Sequence, residues 1–160
     1  MLKRKDYWVL TEPSFDNKSL VIDSLSDEAE VDVSSLSCNW IESVFQIDST
    51  NDFNCFISLG YNGENVIGTR NRNTRHTSSL AEFSGGIPLG EINSFSSALG
   101  STSVYENGVP KSGSRHGWYG YAATNLLQIN QHSSWKTLGK VYSIRLYSRA
   151  LTAAEIAANY

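Results

Sequence analysis

The chain has 160 residues, enough for one domain with a sizeable core. Charged residues make up 18% of it, aromatic residues 11%, and the formal net charge is −3, which argues against a broad cationic face for nucleic acid. No run approaches the roughly 18 apolar residues of a membrane helix, so no membrane insertion is expected.

Along the chain, Lys3, Arg4 and Lys5 begin as a signal peptide would, but residues 6–13 are too short and polar for its apolar core, so no signal peptide is visible. Residues 20–22 and 31–36 are short strand candidates. Residues 40–48 form the clearest one: Ile41, Ser43, Phe45 and Ile47 share one face, and Glu42, Val44, Gln46 and Asp48 the other. A polar turn at 49–52 leads to residues 53–61, and the two runs read as a hairpin. In that register Cys55 lies opposite Gln46 and Cys38 sits about 25 Å further along. A disulfide needs Cα atoms within about 7 Å, so two free thiols are expected.

Asn62-Gly63 signals a type I′ turn, whose central residues both need positive φ. Residues 66–72 should return antiparallel to 56–61. There Arg70 and Arg72 would share a strand face; they could grip an anionic group such as a sialic-acid or sulfate moiety, or simply protect an edge strand with charge. Residues 84–90 and 111–117 read as loops. Between them, Asn107-Gly108 places a second tight turn after a β-rich run. Residues 126–130 and 140–147 are the last strand candidates. Thr152-Ala153-Ala154-Glu155 is a capping box opening a short terminal helix, with Leu151 and Ile156 available to dock it. Many short strands, tight turns and one helix imply an all-β sandwich or barrel.

The C-terminal run from Leu138 to Ile156 (LGKVYSIRLYSRALTAAEI) resembles the closing segment of laminin-G-like domains in the concanavalin A-like superfamily: a Gly-basic-hydrophobic strand, an Arg-x-Tyr-x-Arg-x-Leu run, then Thr-x-x-Glu-Ile. The Ile41-Glu42 strand and the Tyr105-x-Asn107-Gly108 hairpin match in the same order, so the resemblance covers residues 40–156. Residues 1–19 depart from the family's opening strand. The resemblance implies a two-sheet antiparallel jelly-roll sandwich over 1–160. It leaves the function open among carbohydrate-binding modules, adhesion domains, phage structural parts and glycosidases.

For glycosidase chemistry the related glucanases place two carboxylates about 5 Å apart with a Glu-x-Asp-x-Glu triplet. The chain has none, and Glu42 and Asp48, six residues apart on one strand, stand roughly 20 Å from each other. No enzyme activity is therefore expected. His76, His116 and His132 are scattered, so no zinc site is expected and no cofactor is assigned. Asp16, Asp23, Asp27 and Asp32 could contribute to a calcium site, or could be solvated surface carboxylates.

The aromatic stretch 115–121 offers the candidate ligand site. Sugar C–H faces stack on Trp and Tyr while hydroxyls bond Asn or Arg, so Arg115, Trp118, Tyr119, Tyr121 and Asn125 are the candidate ligand-binding residues; a plain strand with Trp118 in the core is the alternative. Trp40 and Trp135 read as core or rim aromatics. The expectation is a recognition or adhesion domain of a surface or virion protein, extracellular, binding carbohydrate or a cell-surface glycan. A structural or assembly domain with protein partners or self-association is the alternative.

Overall fold

A computed structural model of the chain describes residues 9–11, 14–15, 18–36, 39–49, 53–59, 66–70, 74–77, 81–84, 88–98, 103–112, 114–115, 126–130 and 136–159. In chain order the elements are β1 (Val9–Thr11), β2 (Ser14–Phe15), β3 (Leu20–Ile22), β4 (Glu28–Asp32), β5 (Trp40–Ser49), β6 (Phe53–Leu59), β7 (Val66–Arg70), β8 (Thr74–Thr77), β9 (Ala81–Ser84), β10 (Ile92–Ala98), β11 (Ser103–Glu106), β12 (Val109–Ser112), β13 (Ser114–Arg115), β14 (Leu126–Ile129), β15 (Leu138–Tyr147) and α1 (Ala153–Asn159). They build two antiparallel sheets. One runs β1-β4-β14-β6-β7-β8-β9-β13, the other β12-β11-β10-β5-β15-β3-β2. The expected two-sheet β-sandwich with a terminal helix is what forms.

The period-two pattern of β5 decides its role. Ile41, Phe45 and Ile47 point into the space between the sheets, where they meet Phe56 and Ile57 of β6, Leu127 and Ile129 of β14, and Ile22 of β3. The Phe45 and Phe56 rings sit 6.2 Å apart at 57°, a tilted pair bridging the two layers. Phe56 is 0% exposed; burying a side chain of this kind stabilises by about 1.5–3 kcal/mol. Ser43 also faces this interior, and its hydroxyl has no hydrogen-bond partner among the described residues.

The structure corrects the expected pairing of 40–48 with 53–61. β5 pairs with β10 and β15, whereas β6 pairs with β14 and β7 in the other sheet. Both runs carry large apolar side chains on one face, and stacking those faces across the interior buries more than placing the strands side by side would. Cys55 consequently lies opposite Gly68, not Gln46, so the geometric case for two free thiols lapses; Cys38 lies outside the described residues.

β7 returns antiparallel to β6, as expected. It also pairs with β8 on its other side, so the edge-strand reading of Arg70 fails. The loop expected over 111–117 is partly strand: Lys111 and Ser112 close β12, and β13 pairs with β9. Ser84, expected to open the 84–90 loop, ends β9.

Two glycines are required where they stand. Asn107 and Gly108 have φ of 48° and 74° and turn β11 into β12. At Gly139 a Cβ would lie 2.2 Å from the Gln46 carbonyl oxygen, so the close approach of β15 to β5 admits no side chain there. At the sheet border, β12 pairs among the described residues with β11 alone and carries Pro110, which has no N–H, beside Lys111.

Candidate functional site

The other face of β5 points away from the interior, yet part of it is covered. Trp40 packs with Leu151 and Ile156 in a second cluster, bordered by Ala98, Tyr105 and Tyr147. Here α1 lies on the outer face of the seven-stranded sheet. Its start is capped as the sequence implies: Glu155 N–H donates to Thr152 Oγ1 (3.3 Å), and Thr152 N–H donates to Glu155 Oε2 (2.9 Å). Arg149 clamps the same carboxylate through both terminal nitrogens, at 2.9 and 2.5 Å. These bonds, Arg149 foremost, pull Glu155 down to a pKa of about 2.

Beneath the helix sits Glu42, only 6% exposed. Its carboxylate collects three neutral donors: Ser96 Oγ at 3.2 Å, Tyr147 OH at 2.7 Å and Asn159 Nδ2 at 2.9 Å. Trp40 Nε1 donates to Ser96 Oγ (2.7 Å), fixing that hydroxyl toward Glu42. A buried carboxylate is tolerated because each oxygen is met by a donor. Burial first, and then the bond and charge of Glu42, raise the pKa of Tyr147 above the usual phenol value, so at neutral pH it serves as a hydrogen-bond donor. Arg145, directly opposite Glu42 across the β5–β15 pair, approaches to 3.9 Å with its side chain 48% exposed.

Strand register explains this convergence. Ser96, Glu42 and Arg145 are cross-strand partners in one row over β10, β5 and β15, and Tyr105 of β11 extends it. The row borders a shallow groove open to solvent, lined also by Ser94 of β10 and by Ile156 and Asn159 of α1. Acceptors, donors and one aromatic side chain meet there, held by paired strands. No single window of the sequence spans this cluster. Its traces were there: Glu42 belongs to the Ile-Glu match, and Arg145 and Tyr147 to the Arg-x-Tyr run.

Of the candidate residues read from the sequence, Arg115 and Arg70 lie among the described residues. Arg115 lies in β13 and Arg70 in β7, with β8 and β9 between them and a register offset of three residues. Arg72, Trp118, Tyr119, Tyr121 and Asn125 lie outside the described residues, as do Trp135 and Asp16. Of the other aspartates, Asp27 is buried and its Oδ2 accepts the N–H groups of Asp23 and Ser24, both at 2.9 Å. Asp32 accepts Ser34 N–H at 2.8 Å. These two carboxylates are thus engaged in closing turns. Nearby, Asn130 (φ 56°) donates to the Asp27 carbonyl at 3.0 Å, accepts Thr137 N–H at 2.8 Å, and its own N–H reaches the Phe56 carbonyl at 2.9 Å. Thr137 Oγ1 donates to the Ser49 carbonyl.

No family model matches the chain, and no curated protein matches it either. Solved structures do share the fold. A mutant of Trypanosoma rangeli sialidase displaying trans-sialidase activity is 14% identical over 95% of this chain and 29% of its own, with a TM-score of 0.70. The T. rangeli sialidase in complex with sialic acid gives 14% over 93% and 28%, with 0.68. The receptor-binding domain of botulinum neurotoxin type G gives 12% over 96% and 45%, with 0.67. The chain therefore spans less than half the length of these proteins, and the likeness establishes the sandwich.

It also overturns the expectation that the chain is not an enzyme. Sialidases are among the proteins that share its fold. The missing Glu-x-Asp-x-Glu triplet rules out only the glucanase arrangement, since glycosidases with other nucleophiles, tyrosine among them, exist. Among the described residues no helix is long and apolar enough to cross a membrane.

Proposed function

We propose that this chain is a carbohydrate-recognition sandwich of the laminin-G-like kind, working at a cell or virion surface. The observation that carries the reading is the fold shared along 93–96% of the chain with parts of a sialidase bound to sialic acid and of a toxin receptor-binding domain. A flat sheet face with paired polar side chains beside tyrosine suits a ring that offers both C–H faces and hydroxyls. Arg115, Trp118, Tyr119, Tyr121 and Asn125 remain the first ligand residues proposed, with Arg70 and Arg72 for an anionic substituent, and calcium as a proposed accessory ion.

The test is a glycan array carrying neutral and acidic sugars, probed with the full chain and with Trp118→Ala and Tyr121→Ala. Retention by the parent chain that falls at least tenfold in either variant supports the reading. A folded chain that retains on no glycan overturns it.

A further inference from the structure

We infer that α1 is a latch: it lifts from the sandwich as a unit while both sheets stay folded, and it controls access to the outer face around Glu42. What builds the helix is separate from what holds it down, and the opening does not depend on which ligand the chain takes.

The chain is pinned as far as Ser148, where Asn39 N–H donates to the Tyr147 carbonyl at 2.8 Å and Asn39 Nδ2 to the Ser148 carbonyl at 2.7 Å. Beyond that point the helix is assembled from its own residues. Arg149 donates to the Ala150 carbonyl and the Glu155 carboxylate, Thr152 and Glu155 cap each other, and Ile156 N–H donates to the Thr152 carbonyl at 3.0 Å. None of these bonds breaks when the unit pivots at Ser148. Among the described residues, its hold on the sheet consists of three side chains. Leu151 and Ile156 pack against Trp40 and its bordering tyrosines, and Asn159 Nδ2 donates to Glu42 Oε2 at 2.9 Å and to Tyr147 OH at 3.3 Å. Ala153, Ala154, Ala157 and Ala158 face solvent and add no grip.

Closure is opposed from below. Glu42 is buried under the helix, and a carboxylate returned to solvent regains the hydration it gave up. In the closed form the cleft between α1 and the sheet encloses about 20 Å³, room for roughly one water, so nothing larger enters. Lifting α1 uncovers Trp40, Glu42, Tyr105 and Tyr147, an aromatic and polar patch continuous with Arg145. A helix of seven residues has no stability of its own away from the sheet, so its amides exchange as it lifts.

The experiment is hydrogen exchange followed by NMR on the full chain in rising, sub-denaturing guanidinium. It compares the amides of Ile156 and Asn159, the Trp40 indole N–H that donates to Ser96 Oγ at 2.7 Å, and the core amides of Phe45 and Ile57. The α1 amides and the Trp40 indole should exchange together, roughly a hundredfold faster than the core and with a shallower dependence on denaturant. Asn159→Asp sets a second carboxylate against Glu42 and should raise the opening roughly thirtyfold or more. Ala158→Asp carries the same charge at the same helix end but on the solvent side, and should raise it less than about fivefold. Exchange of α1 at the core's rate and with its denaturant slope overturns the latch, because no separate opening then exists. Exchange of α1 while the Trp40 indole stays protected with the core also overturns it, since the helix then frays without uncovering the face. Equal effects from the two aspartates overturn the part given to Glu42.

Discussion

The molecule satisfies two buried polar groups by opposite means. Asn130, 1% exposed, is tied to backbone on every side: the carbonyls of Asp27 and Phe56 and the amide of Thr137. Glu42 is tied to side chains alone, from β10, β15 and α1. Backbone partners move only if the fold moves, so the Asn130 centre is a fixed knot. Side-chain partners can turn or exchange, and the Glu42 centre opens onto solvent through Arg145. The contrast separates a group locked by the backbone from one whose side-chain partners can rearrange.

The largest effect expected is at the knot. Asn130→Ala loses the two side-chain hydrogen bonds and puts alanine in the left-handed region, at a cost of about 3 kcal/mol. The thermal midpoint should fall by roughly 10 °C, while the affinity of any bound glycan stays unchanged. A loss under about 1 kcal/mol in chemical denaturation would end the distinction between the two centres.

Glu42→Gln should cost about 2 kcal/mol, because one oxygen becomes a donor that faces donors, and Tyr147→Phe about 1 kcal/mol. Combined, they should fall short of the sum by at least about 0.5 kcal/mol, the mark of groups sharing one network. Additive losses would mean that Glu42 and Tyr147 do not act together.

Ser43 sharpens the comparison from the other side, as a buried hydroxyl with no partner among the described residues. Ser43→Ala should leave stability unchanged or raise it by up to about 1 kcal/mol. A clear destabilisation would reveal a partner for the hydroxyl.

The smallest effect concerns acid. Glu155 has its folded pKa lowered to about 2 from 4.5. Its contribution is therefore complete above the unfolded value and is lost as pH falls from about 4.5 toward 2. The gap in thermal midpoint between the parent chain and Glu155→Gln should close over that interval. A gap that stays constant from pH 5 to pH 2 would show that the carboxylate does not hold the cap.

What the sequence makes readable is local. The alternation of β5, the Asn107-Gly108 turn and the Thr152–Glu155 cap each depend on residues within one short window, and all three form. Alternation tells which residues share a face but not which strand lies alongside, so β5 and β6 were joined in one sheet when they face each other from two. β10 was missed because Ser94, Ser96 and Ser97 stand on both faces and blur the pattern. Glu42 looked like a solvent-facing residue of a half-buried strand. Its cover comes from Tyr147 and Asn159, more than a hundred positions later, and no window on the sequence spans that distance. The resemblance did hold both parts of the cluster, in Glu42 and in Arg145 and Tyr147, without saying that they meet.

Pro110 bears on how copies of this molecule could meet. A border strand is where sandwiches most readily recruit a foreign strand, and here a ring nitrogen without hydrogen and a neighbouring ammonium interrupt the template at β12. Filament growth by strand addition is blunted at that margin.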